Sequence, residues 1–202
     1  MKTLRDKGEE FAIDKHPAVY VSHYGSLAYS LWLNQQTIAE RARLGLGVFR
    51  LPTEAEWEGA ARGPEGTFEW GTSTGELSHE LAHYDAEATA PVGSKPGILY
   101  GAATLSGIPE ELKPYLDEKL FDMAGNVWEW TADWYGAYEM VRNGKVLEYP
   151  TGPVLGQWRV LRGGSLYSVD PGVLRAAFRN LDLPDYRGND FGFRLAVSPG
   201  TP

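Results

Sequence analysis

The feature that most constrains this chain is an excess of glycine and aromatic rings in a text with little regular periodicity. Its 202 residues include 24 Gly, 7 Trp and 11 Tyr. Glycine supplies turns and positive-φ positions, and flat amphipathic rings bury large areas where helices and sheets do not. A regular helix bundle would not look like this. The expected class is α+β with a high loop fraction. Hydrophobic residues make up 43% of the chain and charged ones 23%, enough for a real core and against global disorder.

Periodicity survives in a few places. Residues 1–15 are charged and aperiodic and read as an N-terminal arm. Val19, Tyr20 and Val21 form a short strand-like run. From Tyr24 to Arg43 the spacing of Leu27, Ala28, Leu31 and Ile38 predicts an amphipathic helix, stopped by Gly45 and Gly47. Thr53 and Glu56 have capping-box spacing, so a second helix starts there with Trp57, Ala60 and Ala61 on its buried side, and Gly63-Pro64 ends it. Residues 63–121 then read as loop, with a short helix at Ile108–Leu120 interrupted by Pro114. Strand-like pieces return at Gln157–Leu161 and Phe191–Val197. Without repeat or linker, residues 16–202 read as a single domain.

Several classes are excluded. No apolar run approaches the roughly 20 residues of a spanning helix, and the first fifteen residues lack the apolar segment of a secretory signal. The chain has no cysteine, hence no disulfide, thiolate metal site, thiol nucleophile or lipidation cysteine. A net charge of −8 argues against nucleic acid as a partner. Among the histidines, His79 and His83 in HELAH have the spacing of two metal ligands on one helical face, but the surrounding residues predict a loop with two solvated rings. His16 and His23 flank a strand and read as structural.

Three blocks occur in order: FRLPTEAEWEGAARG with EWG after it, FDMAGNVWEWTADWY, and RVLRGGS…LRAAFRN…GFRLA. Together with VSHYGSLAYSLWLN they resemble the formylglycine-generating-enzyme domain, a branch of the C-type lectin fold. The resemblance spans roughly residues 16–197. It implies a loop-rich domain with two main helices around small antiparallel sheets. Family members usually carry several dozen residues ahead of HPAVYVS, forming early strands that are missing here or supplied by another chain. The oxidase members use cysteines in the last block to bind copper, and none occurs between Gly163 and Gly192. Formylglycine-generating activity is therefore not expected. Trp128, Trp130 and Trp134 read as core.

In the relatives, the block matching DMAGNVWEW holds calcium. Carried over by position, the ligands are Asp122, the carbonyls of Gly125 and Val127, and Glu129. Carboxylate and carbonyl oxygens suit this hard cation. The alternative is that Asp122 and Glu129 brace the loop through backbone N–H groups. Either role is structural.

The last block alternates scaffold positions with unconstrained ones. The latter are Leu166, Tyr167, Ser168, Val169, Asp170, Gly172, Val173, Phe178, Leu181, Asp182, Leu183, Asp185, Tyr186, Gly188, Asn189, Asp190 and Phe191. This resembles the variable proteins of diversity-generating retroelements, which randomise adenines in a repeat near the gene's end. Asparagine codons so randomised cannot encode Lys, Glu, Gln, Met or Trp. None of these occurs from Leu166 to Phe191, although they form close to a fifth of the chain. Tyr, Phe and Leu interleaved with Ser, Asp, Asn and Gly suit a paratope. Leu166, Phe178, Leu181, Leu183 and Phe191 are expected to form an exposed apolar patch. Arg162, Arg175, Arg179 and Arg194 are expected to hold the loops. The resemblance implies a non-enzymatic binder of a protein or other macromolecule, with its variable region near 159–197 and no catalytic cofactor. The alternatives are a fixed accessory or sensor domain binding a small ligand or sugar, and an iron enzyme, which four scattered histidines do not favour.

Overall fold

The computed structural model describes residues 15–100, 119–138, 141–142, 145–146 and 150–199. Ser22 caps the first helix by accepting from the Gly25 N–H at 3.1 Å. Helix α1 runs His23–Gln36, and Thr37 separates it from the short α2, Ile38–Arg43. The single predicted helix is thus two, and its buried side differs from the expected one. His23, Ser26 and Ser30 are buried, whereas Leu31 and Ile38 are 64% and 62% exposed. Only Leu27 of the expected stripe packs on the core. The serines bond carbonyls of their own turn, so they behave as small buried residues and admit close approach of the sheet.

Strand β1 (Leu46–Arg50) pairs antiparallel with β10 (Ala196–Pro199). Helix α3 is Glu54–Ala61, with the predicted capping box complete: Thr53 accepts from the Glu56 N–H, and Glu56 accepts from the Thr53 N–H. Residues 63–97 are loop and turn, as expected. Two short antiparallel pairs follow, β2 (Ile98–Leu99) with β3 (Lys119–Leu120), and β5 (Val141–Arg142) with β6 (Lys145–Val146). The predicted helix at 108–120 falls almost wholly outside the described residues; its last two belong to β3. The expected strand at 19–21 does not form, because Tyr20 takes φ +58°.

The central sheet has the order β8-β7-β4-β9, with β4 at Trp128–Trp134, β7 at Arg159–Arg162, β8 at Asn180–Asp182 and β9 at Phe191–Phe193. Its pairings are antiparallel except β4 with β9, which is parallel and aligns Glu129 with Gly192. The predicted strand at Phe191–Val197 divides into β9 and β10, which serve different sheets. Leu51, Trp128, Trp130, Leu161 and Phe191 form one core cluster, and Trp57, Ala61, Ile98, Met123 and Ala176 another. Trp128 and Trp130 are core, as the sequence predicts. Trp134 is half-buried under the Arg159 guanidinium, 3.5 Å from the ring centroid. Among the described residues no helix is long and apolar enough to cross a membrane.

Candidate binding surface

The chain leaves β7 through Gly163 and Gly164, both at positive φ. A β-carbon at Gly164 would lie 2.5 Å from Leu174, so only glycine fits this turn. Leu166, two residues on, is fixed from two sides. The Leu166 N–H donates to the Asn126 carbonyl at 2.9 Å, and the Leu166 carbonyl accepts from Ala86 at 2.8 Å. Its neighbours then stand out from a rigid base: Tyr167 is 45% and Val169 74% exposed. Asp170 caps the one-turn 3-10 helix Pro171–Leu174 by accepting from Gly172 at 2.8 Å.

The second loop follows β8. The Asp182 carboxylate accepts from the Leu183 N–H at 2.7 Å, and the Tyr186 N–H donates to the Leu183 carbonyl at 3.0 Å. Backbone bonds from Tyr24 to Pro184 and from Tyr20 to Gly188 anchor it to the first turn of α1 and the segment before it. The Asn189 amide reaches the Tyr167 hydroxyl at 2.6 Å, which joins the two loops.

The seventeen predicted positions divide by burial. Tyr167, Val169, Asp170, Leu183, Asp185 and Tyr186 are exposed. Gly172, Val173, Phe178, Leu181, Asp182, Asn189 and Asp190 are half-buried. Leu166, Ser168, Gly188 and Phe191 are buried. The expected apolar patch does not form: Leu166 and Phe191 are core, and Phe178 packs on Trp128 with ring centroids 6.1 Å apart. Leu181 lies in β8 opposite Val160, and of the five only Leu183 is exposed. The reason is alternation: the chain passes in and out of the sheet's edge, and the large apolar side chains take the inward positions. Burial raises the Asp190 carboxyl above its ordinary range, and a hydrogen bond with Ser165 partly offsets this.

The four arginines brace these loops, each on a carboxylate. Arg162, fully buried, reaches Glu58 at 2.5 Å and also bonds the Phe178 carbonyl. Arg179 holds Glu54 with two bonds, at 2.6 and 2.7 Å. Arg175 meets Glu69 at 2.8 Å. Arg194 holds Glu129 at 2.5 and 2.6 Å.

The last pair bears on the predicted calcium ligands. Asp122, Gly125, Val127 and Glu129 line one cavity of about 420 Å³. Gly125 has no room for a side chain, since a β-carbon would lie 2.2 Å from the His83 carbonyl oxygen. Both Glu129 oxygens are taken by Arg194, and one also accepts from the Trp57 indole at 2.7 Å. Asp122 accepts from the Gly93 N–H at 2.8 Å, and burial raises its carboxyl. Asp122 thus meets a backbone N–H as the bracing alternative has it, whereas Glu129 is held by side chains, and with Arg194 supplying the positive charge there calcium is a poor fit.

The histidines do not converge. HELAH forms turns, with His79 stacked on Tyr84 at 4.2 Å and His83 bonded to the Ala88 carbonyl at 2.8 Å. His16 bonds Thr89, and buried His23 bonds the Thr131 carbonyl at 3.1 Å. Among the described residues no group of three or more metal-binding side chains occurs.

One feature the sequence did not signal is a cavity of about 410 Å³ beside α3, walled by Glu54, Glu58, Asp133 and Tyr138 among others. The TEAEW motif reads as a helix start, and nothing in it marks the far wall.

Structural and sequence relatives agree on the fold. Treponema denticola variable protein 1 superposes with a TM-score of 0.67 at 26% identity, covering 92% of this chain and 72% of that one. The serine/threonine-protein kinase Pkn1 of Chlamydia trachomatis is 34% identical over 183 residues, 90% of this chain and 24% of the kinase. The formylglycine-generating enzyme of Thermomonospora curvata is 31% identical over 202 aligned residues, 91% of this chain and 56% of the enzyme. The chain therefore spans about a quarter to about half the length of these curated relatives. The sulfatase-modifying factor enzyme 1-like domain model matches residues 2–199, and the chain belongs to that family, with a C-type lectin-like fold.

Proposed function

We propose that the chain is a non-enzymatic binding protein, the variable protein of a diversity-generating retroelement, whose target is a protein or other macromolecule. The observation that carries this reading is the division of its last block. Leu166, Leu174, Ala176 and Phe191 are buried, while Tyr167, Val169, Leu183, Asp185 and Tyr186 stand exposed between them on loops tied by the Asn189–Tyr167 bond. Exposed tyrosines on a rigid base give contact area at low entropic cost, and small polar neighbours adapt to the partner. The binding face is accordingly narrower than the seventeen positions. The structural likeness to a variable protein supports it. The chain carries no cysteine, so we assign it no copper-dependent formylglycine chemistry.

Sequencing this gene and its flanks across the source population tests the proposal. Substitutions concentrated at the exposed positions, each at an adenine of a nearby near-identical template, are expected. A uniform sequence without a template would overturn it and favour a fixed module with one ligand.

A further inference from the structure

We propose that the outer face of α1 is a docking surface for a second copy of this chain, the two helices packing against each other about a two-fold axis. The surface uses none of the loop positions of the proposed binding face.

The fourteen residues of α1, HYGSLAYSLWLNQQ, include no charged side chain. A helix that leaves one side to solvent ordinarily carries charge there. Here the inner side is taken by His23, Ser26 and Ser30, and the outer side presents Tyr24, Ala28, Leu31 and Trp32, all exposed. Tyr29 packs beside Trp32 with ring centroids 5.6 Å apart, and the exposed Ile38 opens α2 beyond them. The first charges that follow are already engaged. Glu40 and Arg43 pair with each other at 2.6 Å, and Arg41 is turned back onto the Asn34 and Gly47 carbonyls.

Shape, area and charge select a copy of the chain as the occupant. Tyr24, Ala28 and Trp32 stand four residues apart and form one ridge along the helix, high at both ends and low at Ala28. Two such ridges cross at their notches: Ala28 meets Ala28, the axes approach to about 8 Å, and Tyr24, Leu31 and Trp32 of each copy close around the crossing. The area is also sufficient. Tyr24, Tyr29, Leu31, Trp32 and Ile38 are between 46% and 64% exposed, which at about 200 Å² for a whole large side chain leaves roughly 500 Å² of apolar surface. A standard interface takes about 800 Å² from each partner, and about two-thirds of a homodimer interface is apolar, so the face supplies roughly what one copy contributes. The net charge of −8 opposes association over the rest of the surface, and a stripe without charge is where two such chains can meet. The pair would carry two loop faces and gain avidity for a repeated target; this consequence rests on the proposed function, and the pairing does not.

Sedimentation equilibrium of the full chain tests the pairing. A monomer–dimer equilibrium with a dissociation constant of about 10–100 µM is expected. It should tighten with salt, because screening relieves the repulsion between two acidic chains. Ala28→Glu sets two carboxylates against each other at the crossing and should weaken pairing about tenfold or more, as should Ala28→Lys. An equimolar mixture of these two should pair to within about threefold of the unsubstituted chain. Leu31→Ser trims the apolar face without adding charge and should weaken pairing about tenfold, while Val169→Glu on the loops leaves it unchanged. Positions 28 and 31 are exposed, so these variants keep the core, and circular dichroism checks that each is folded. A chain still monomeric at about 500 µM would overturn the proposal and leave the face to a different protein. Pairing unaltered by Ala28→Glu and Leu31→Ser, or a Glu–Lys mixture no better than its components, would overturn it by moving the contact elsewhere. None of these outcomes bears on the loop face.

Discussion

Asn189 donates its side-chain amide to the Tyr167 hydroxyl at 2.6 Å, a bond between residues 22 positions apart that closes the two exposed loops onto each other. Both rings of the proposed face, Tyr167 and Tyr186, are about half exposed, whereas the half-buried Phe178 packs against Trp128 at the edge of the core. Replacing both tyrosines by alanine is expected to cost no more than about 1 kcal/mol. Phe178→Ala alone should cost about 2 kcal/mol, less than a fully buried ring because Phe178 is half-buried. Urea denaturation separates the two cases. Equal losses would place the tyrosines in the core and remove the binding face.

Glu54 is the hub of a buried ionic network. It is 3% exposed, holds Arg179 and lies 3.6 Å from the buried Arg162. Glu54→Ala leaves these guanidiniums without that carboxylate and should cost about 3–5 kcal/mol. The Arg175–Glu69 pair has similar geometry, but both side chains are about half exposed. Arg175→Ala should therefore shift stability by no more than about 1 kcal/mol. Chemical denaturation of the two variants compares burial directly.

Two buried groups give stability opposing pH dependences. Burial, with the Arg159 charge, lowers His23 from 6.5 to about 4. The unfolded chain takes up that proton first as pH falls, so this group removes about 3 kcal/mol of stability between pH 6.5 and 4. Burial raises Asp133 from 3.8 to about 6. Here the folded state takes the proton first, and its contribution is lost as pH rises through that window. Asp133→Asn should thus stabilise the protein by about 2–3 kcal/mol near pH 7, with the gain fading toward pH 4. His23→Gln should flatten the acid side instead. Urea midpoints from pH 4 to 8 read both slopes, and the same slope in all three proteins would refute the assignment.

The Arg194–Glu129 pair makes the metal question measurable. With both Glu129 oxygens on the guanidinium, calcium at about 1 mM should shift the melting temperature of chelator-stripped protein by less than about 1 °C. Arg194→Met should cost about 3–5 kcal/mol, because it strands a buried carboxylate. A calcium-induced rise of several degrees in the unsubstituted protein would show that the ion completes the cradle.

Local signals in the sequence held where they concerned one turn of chain. The capping box at Thr53 and Glu56 formed as written, because its partners lie three residues apart. The family motifs, the loop character of residues 63–97 and the core placement of Trp128 and Trp130 were equally legible. The buried side of α1 was not. Hydrophobic spacing pointed to Leu31 and Ile38, yet the helix meets β1 and β4 through His23, Ser26 and Ser30, and only the packed neighbours decide which face that is. The same limit applied at the binding surface. The sequence suggested a set of unconstrained positions in the last block, but the sheet edge turned Leu166 and Phe191 inward and Tyr167 and Tyr186 outward. The cavity at Asp133 depends on α3, β4 and the segment at Gly152 meeting in space. Spacing along the chain determines a helix cap or a turn, whose bonds are local. Which side chain lies inside, and which carboxylate is left without a partner, is set by surfaces that come together only when distant segments pack.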